Sequence, residues 1–232
     1  MFMITKIAKL IENKKAILVD LDGTLMNSEP IHAKALALAL LEINIKMTPE
    51  ELEKNYAGLC DHEVWEKILK KDGLLSYEKM SEKKNHYFEK IVDELSPEEL
   101  EKLITKGVKN FLKKLKRSGK KIGLVTSSGK KQTDCIIKKL KAKDLFDIVT
   151  TVEDIFLPKP TPSPYLFTMR KLGVEGHSAI IFEDSITGLT SATLACETVI
   201  RIIGHNDPLK GHEWDSHKFK KLQAIDNFSG LF

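Results

Sequence analysis

Four apolar residues, Ala16-Ile17-Leu18-Val19, run straight into Asp20-Leu21-Asp22-Gly23-Thr24. An unbroken apolar run of this length reads as a strand buried on both faces, as strands of parallel sheets are. Two carboxylates then stand one residue apart at its carboxyl end, where open α/β sheets place their ligands. Gly23 lets the chain turn sharply as it leaves the sheet, and Thr24 offers a hydroxyl. A strand entering an Asp-Gly turn is also common without any chemistry. The residues further along the chain decide between the two.

The pattern after Thr24 has two parts. Ser28 is placed to cap a helix and Pro30 suits its first turn. Ile31 to Ile43 is apolar almost all round, which predicts a largely buried helix. Thr48-Pro49-Glu50-Glu51 and Ser96-Pro97-Glu98-Glu99 are capped helix starts with acids in the first turn. Amphipathic faces over His62–Lys71 and Tyr77–Glu94 fill the space between them, and no strand signal occurs from Asn27 to Ile104. From there helix and strand alternate. Helices are predicted at Val108–Lys116, Gly129–Leu140, Pro164–Leu172 and Ile186–Ala195. Strands are predicted at Lys121–Thr126, Phe146–Thr150, Ala179–Glu183 and Thr198–Ile203, with a short one near Ala224-Ile225. Such alternation implies a parallel sheet with helices on both faces. The expected fold is therefore α/β: a Rossmann-like, doubly wound parallel sheet with an all-helical insertion. Residues 1–26 and 105–232 form the expected core, and 27–104 an inserted helical domain over the carboxyl ends of the strands. Ile4, Ile7, Ala8, Leu10 and Ile11 predict a short helix ahead of the first strand.

Each of the first four strands delivers polar residues at or just past its carboxyl end. They are Asp20 and Asp22; Thr126, Ser127 and Ser128; Lys159 within Leu157-Pro158-Lys159-Pro160; and Glu183-Asp184. Taken singly, each reads as a helix cap, a rigid loop or a turn. A doubly wound sheet brings these loops to one crevice. The combined set suits phosphoryl transfer. Carboxylates hold Mg²⁺, a hard ion that takes oxygen ligands. Thr126, the backbone amides after it and Lys159 can bind phosphate oxygens. An aspartate is a competent nucleophile toward phosphorus, and its neighbour can serve as general acid and base.

On these residues the chain resembles the haloacid dehalogenase superfamily of phosphohydrolases over nearly its whole length. Asp20-Leu21-Asp22-Gly23-Thr24 is similar to its first motif, Thr126 to the second, Lys159 to the third and Glu183-Asp184 to the fourth. A helical cap between motifs one and two resembles the subgroup that includes β-phosphoglucomutase and many sugar-phosphate phosphatases. Phe182-Glu183-Asp184-Ser185-x-x-Gly188 and Lys159-Pro160-x-Pro162 match that subgroup. The resemblance implies Asp20 as nucleophile and Asp22 as acid and base. It implies Mg²⁺ on the Asp20 side chain, the Asp22 carbonyl and Asp184, with Glu183 nearby, and phosphate on Thr126, Ser127 and Lys159. Asp22 favours phosphate ester cleavage over dehalogenation, since a halide needs no proton to leave.

His32, Lys84 and Asn85 resemble cap residues of the mutase. The mutase's cap-loop arginine stands here as Asp61, and a lysine of its second motif as Gly129. Those differences favour a monophosphate substrate. The expected activity is thus a Mg²⁺-dependent phosphatase acting on a small phosphorylated metabolite, most simply a sugar phosphate. A phosphomutase and a non-catalytic binding protein of the same fold are the alternatives. Substrate specificity falls to the cap residues His32, Asp61, Lys84 and Asn85, with His62 and His86 beside them.

Composition narrows the setting. The net charge of +4 over 232 residues is spread through Lys-rich helices with interleaved Glu, so no nucleic-acid partner is expected. Three scattered cysteines, Cys60, Cys135 and Cys196, suggest reduced thiols. No apolar run approaches the ~20 residues that span a bilayer. A cytoplasmic protein without a membrane partner, monomeric or weakly dimeric, is expected. The run His205, Asp207, His212, Asp215, His217 fits no metal spacing and reads as a polar loop.

Overall fold

The structure, a computed structural model, describes residues 2–56, 61–69, 77–204 and 222–231. Cys60, the residues beyond Leu69 in the helix expected to reach Lys71, and the His205–His217 run lie outside them. Helix α1 (Phe2–Glu12) precedes strand β1 (Ala16–Val19). Among the described residues a block of five helices comes next: α2 (Glu29–Leu41), α3 (Pro49–Tyr56), α4 (Asp61–Leu69), α5 (Tyr77–Glu94) and α6 (Pro97–Leu103). Alternation then begins with α7 (Val108–Arg117), β2 (Lys121–Val125), α8 (Lys130–Leu140) and β3 (Ile148–Thr150). It continues through α9 (Ser163–Leu172), β4 (Ala179–Glu183), α10 (Ile186–Ala195), β5 (Val199–Ile202) and β6 (Gln223–Ile225).

The sheet runs β3-β2-β1-β4-β5-β6 with every pairing parallel. β1 is central. The chain leaves it toward β2 and β3 on one side and returns to β4, β5 and β6 on the other. The strand order therefore reverses at β1, and the crevice at such a reversal is where doubly wound sheets bind ligands.

Strand pleating splits the core into two layers. Ile17 and Val19 face α1, α7 and α8, through Ile7, Ile11, Phe111, Leu115 and Ile136. Ala16 and Leu18 face α9 and α10, through Tyr165, Met169, Leu189 and Ala192. α7 shows how the sequence specifies this. Val108, Phe111, Leu112 and Leu115 recur at helical spacing and are buried, with lysines between them.

The helical block between β1 and β2 has a small core of its own, built on Leu36, Leu40, Leu52, Trp65 and Met80. It also joins the larger layer through Ile31, Ala35, Phe88 and Val92. The chain enters and leaves this block side by side. The Asn27 amide donates to the Leu103 carbonyl at 2.8 Å, and the Thr105 amide to the Leu25 carbonyl at 3.0 Å. α2 is largely buried, as expected, although Leu41 at its end is 53% exposed. One expectation needs correction. Ser28 makes no side-chain cap for α2, because its hydroxyl goes instead to the Asp22 carboxylate. The pattern at Ser96 does form a capping box, with Glu99.

Phe182 on β4 packs against the rings of Phe111 and Phe228, with centroids 5.3 and 5.4 Å away. Phe182→Ala should lower the free energy of unfolding by about 3–5 kcal/mol, read from urea denaturation, since a fully buried ring leaves a cavity that neighbours only partly refill.

Candidate active site

The loops beyond β1, β2, β3 and β4 meet at a cavity of about 830 Å³, roofed by α2, α4 and α5. A volume of this size suits a small-molecule ligand. Asp20, Asp22, Ser127, Lys159 and Asp184 all line it.

Lys159 lies at its floor with a side chain only 4% exposed. Its ammonium reaches Asp20 Oδ1 at 2.7 Å, Glu183 Oε1 at 2.7 Å and the Val125 carbonyl at 3.1 Å. Three N–H donors thus meet three acceptors. The Tyr165 ring lies under the same ammonium at 5.1 Å, and its hydroxyl donates to Glu183 Oε1 at 3.2 Å. Burial works against the charged ammonium, but Asp20 and Glu183 outweigh it and hold the Lys159 pKa well above its ordinary value.

Glu183 is fully buried, and both its oxygens are engaged. Oε1 accepts from Lys159 and Tyr165, and Oε2 from the amide and hydroxyl of Ser185 at 2.9 and 3.2 Å. α10 passes so close that a Cβ on Gly188 would lie 1.6 Å from Glu183 Oε1. Asp184 accepts from the Thr24 hydroxyl at 2.7 Å. Gly23 permits this contact, because it sits at φ +85° and a Cβ there would lie 2.1 Å from Asp184 Oδ2.

Ligand oxygens of Asp20, Glu183 and Asp184 all lie within 4.8 Å of one another. Burial, and then the neighbouring carboxylates, push the pKa of Asp184 well above its ordinary value. Asp20 is raised likewise by burial, against the pull of Lys159 and with the push of Glu183 and Asp22. Crowded, buried carboxylates that resist ionisation are a donor set a divalent cation would satisfy. These residues fit a divalent metal. Because Glu183 already accepts four hydrogen bonds, Asp20 and Asp184 are the better-placed side-chain ligands.

Asp22 has a different environment. Thr126 and Ser128 hydroxyls donate to its Oδ2 at 2.9 and 2.7 Å, and Ser28 donates to Oδ1. His32 Nε2 stands 3.4 Å from the same oxygen. Burial alone would raise its pKa, but these partners, His32 first, hold it far below the usual carboxylate range. Two of them, Ser28 and His32, belong to the start of the helical block. The Thr126 hydroxyl, expected to hold phosphate, is spent on Asp22 and on accepting the Ser128 amide at 2.9 Å.

The remaining expected residues cluster on the roof. Lys84, on α5, pairs with Asp61 at the start of α4. Burial raises the Asp61 pKa, and Lys84 and His32 bring it below its ordinary value. Asn85 lies beside them, bonded to Gln132 at 2.8 Å. Three participants carry no role in the sequence reading. Tyr165 stands at inward helical spacing after Lys159-Pro160-x-Pro162, a signal that could have found it. Ser28 is hidden by its resemblance to a cap. Gln132 has no sequence signal at all.

Comparison with known proteins places this geometry. Residues 17–202 match a family described as haloacid dehalogenase-like hydrolase. A curated relative, the phosphorylated carbohydrates phosphatase of Thermotoga maritima, is 26% identical over 186 residues, 78% of this chain and 81% of its own. Among solved structures, CbbY from Rhodobacter sphaeroides in complex with phosphate superposes with a TM-score of 0.80 at 22% identity, covering 94% of this chain and 96% of that one. The β-phosphoglucomutase of Clostridium difficile gives a TM-score of 0.75 at 22% identity, covering 94% and 93%. These two structural likenesses bear on the fold alone.

Lys159→Met should cost about 3 kcal/mol or more of stability at neutral pH, measured by urea denaturation, since it leaves two buried carboxylates without their cation. An unchanged midpoint would mean that Asp20 and Glu183 do not depend on it.

Proposed function

The chain belongs to the haloacid dehalogenase-like hydrolase family, and on that footing we propose a Mg²⁺-dependent phosphatase that transfers phosphate from a small sugar phosphate to Asp20 and then to water. Its reaction is hydrolysis of a phosphoric monoester. The observation that supports the finer reading best is the unequal treatment of two neighbouring carboxylates. Asp20 stands beside the ammonium of Lys159 and the other acids, while Asp22 stands among hydroxyls and an imidazole.

Environments that push two titratable groups apart suit them to different roles. Asp20 lines the cavity, and its Oδ1 is held by Lys159. As an Asp20 oxygen bonds to phosphorus, negative charge moves to the phosphoryl oxygens, and the adjacent ammonium offsets it. Ser127 lines the same space. The incoming phosphate, itself anionic, opposes the ionised form of Asp22 and lets it carry the proton that the departing oxygen needs. Once the alcohol has left, Asp22 is a carboxylate again, and accepts a proton from the water that attacks the aspartyl phosphate.

Mg²⁺ would be held by the side chains of Asp20 and Asp184 and the backbone carbonyl of Asp22, with Glu183 behind them. Bound there, it supplies charge neutralisation and polarises phosphoryl oxygens.

We assign residues 1–26 and 105–232 to the catalytic unit and 27–104 to a cap. The paired crossings at Asn27 and Thr105 are its hinges, and closure excludes bulk water. The Lys84–Asp61 pair leaves little positive charge for a second phosphate, which favours a monophosphate over the bisphosphate chemistry of a mutase. The relative that acts on phosphorylated carbohydrates supports a sugar phosphate.

Phosphate release should be measured across phosphorylated sugars, phosphorylated acids and nucleotides, with Mg²⁺ and with EDTA. Release from sugar monophosphates that EDTA abolishes is expected, and Asp20→Asn should lower it by about three orders of magnitude or more while the protein stays folded. Isomerisation without net phosphate release, dependent on an added bisphosphate, would replace this reading with the mutase. Full turnover by Asp20→Asn would reject the nucleophile.

A further inference from the structure

Gln132 stands in the first turn of α8 and is only 2% exposed. A polar side chain so buried has to find its partners inside the protein. Its Oε1 accepts from the Gly129 amide at 3.1 Å, in the loop that follows β2. Its Nε2 donates to Asn85 Oδ1 at 2.8 Å and to Asp61 Oδ2 at 3.1 Å. Asp61 holds Lys84 through its other oxygen. Gly129, Gln132, Asp61, Lys84 and Asn85 all line the cavity. One buried amide therefore ties the loop on the sheet side to two helices of the roof.

The location of these bonds separates them from ordinary stabilising contacts. Gln132 and Gly129 lie after the chain has returned from the helical block. Asp61 and Asn85 lie inside the block, whose backbone, among the described residues, joins the sheet at the paired crossings near Asn27 and Thr105. The two Nε2 bonds exist only while α4 and α5 rest over α8. If the block swings away, the Gln132 Nε2, Asn85 Oδ1 and Asp61 Oδ2 groups lose these bonds together.

We propose that Gln132 is a positioning residue, a latch that holds α4 and α5 closed over the cavity and fixes Asp61 and Asn85 toward the leaving-group side of the substrate. Gln132 touches no reacting atom and acts through those two residues. A glutamine suits the role because it offers an acceptor to the loop and a donor to the roof. A net hydrogen bond shifts such an equilibrium about fivefold, so losing both shifts it by roughly tenfold or more toward the open arrangement. The kinetic consequence rests on the phosphatase reading; the conformational one does not.

The test uses the full chain with Gln132→Leu, which keeps the bulk and removes the bonds, and Gln132→Glu, which sets a carboxylate against Asp61. The distance between spin labels at Lys90→Cys and Lys171→Cys, in a background without the native cysteines, is read with Mg²⁺ and inorganic phosphate. Both variants should broaden the distribution toward longer distances, Gln132→Glu more. Adding Asp61→Asn to Gln132→Glu returns a donor opposite an acceptor and should restore the short distance. For the best phosphate ester found, kcat/KM of Gln132→Leu should fall about tenfold, mainly through KM. A merely structural glutamine would lower the melting temperature and leave distances and KM unchanged, and that result would overturn the proposal. Absence of phosphate release from the unsubstituted protein would reject the phosphatase reading instead, while the distance measurement would still decide the latch.

Discussion

The site depends on one ammonium. Three carboxylates have ligand oxygens within 4.8 Å of one another, and negative charge in such a buried pocket calls for a counter-charge. Lys159 provides it to two of them, Asp20 and Glu183. Much of the surrounding backbone serves to bring that ammonium into place. The lysine comes from the loop after β3, the two acids from the ends of β1 and β4, and its third acceptor, the Val125 carbonyl, from the end of β2. A parallel sheet whose order reverses at β1 is what makes four such chain segments converge. Replacing the charges with apolar residues would cost the fold little and could even stabilise it. Retaining a buried ion cluster makes sense as preparation for a metal and a phosphate.

The second carboxylate links chemistry to the helical block. Thr126 and Ser128 hold Asp22 from the sheet side, whereas Ser28 and His32 hold it from the first turns of the block. Movement of that block therefore alters the surroundings of Asp22 as well as the access of water. The same boundary is bridged at the far side of the cavity by Gln132, Asp61 and Asn85. The roof thus touches Asp22 at one end and the loop after β2 at the other.

The fold is legible in the sequence because its signals are strong and local. The apolar run at Ala16–Val19, the alternation after Thr105 and the proline-led helix starts place every strand of the sheet to within a few residues. The acids and the lysine at the strand ends are legible for the same reason, since topology alone carries them to one crevice. Roles that depend on where a side chain turns are less so. Ser28 has the local pattern of a cap, but a buried carboxylate six residues earlier competes for its hydroxyl and wins. Thr126 likewise spends its hydroxyl on Asp22. Gln132 is unreadable from sequence, because its importance comes from two partners 47 and 71 residues away. Tyr165 lies between these cases: its spacing places it inward, but only the structure sets its hydroxyl on Glu183.

The central claim is that phosphate passes through Asp20 and is not taken directly by water. The stereochemical course at phosphorus tests it most directly, using an isotopically chiral phosphate ester of whichever sugar phosphate is turned over. Two successive in-line displacements, first by Asp20 and then by water, predict retention of configuration. Inversion would mean a single displacement by water and would contradict the account, leaving Asp20 as a metal ligand only.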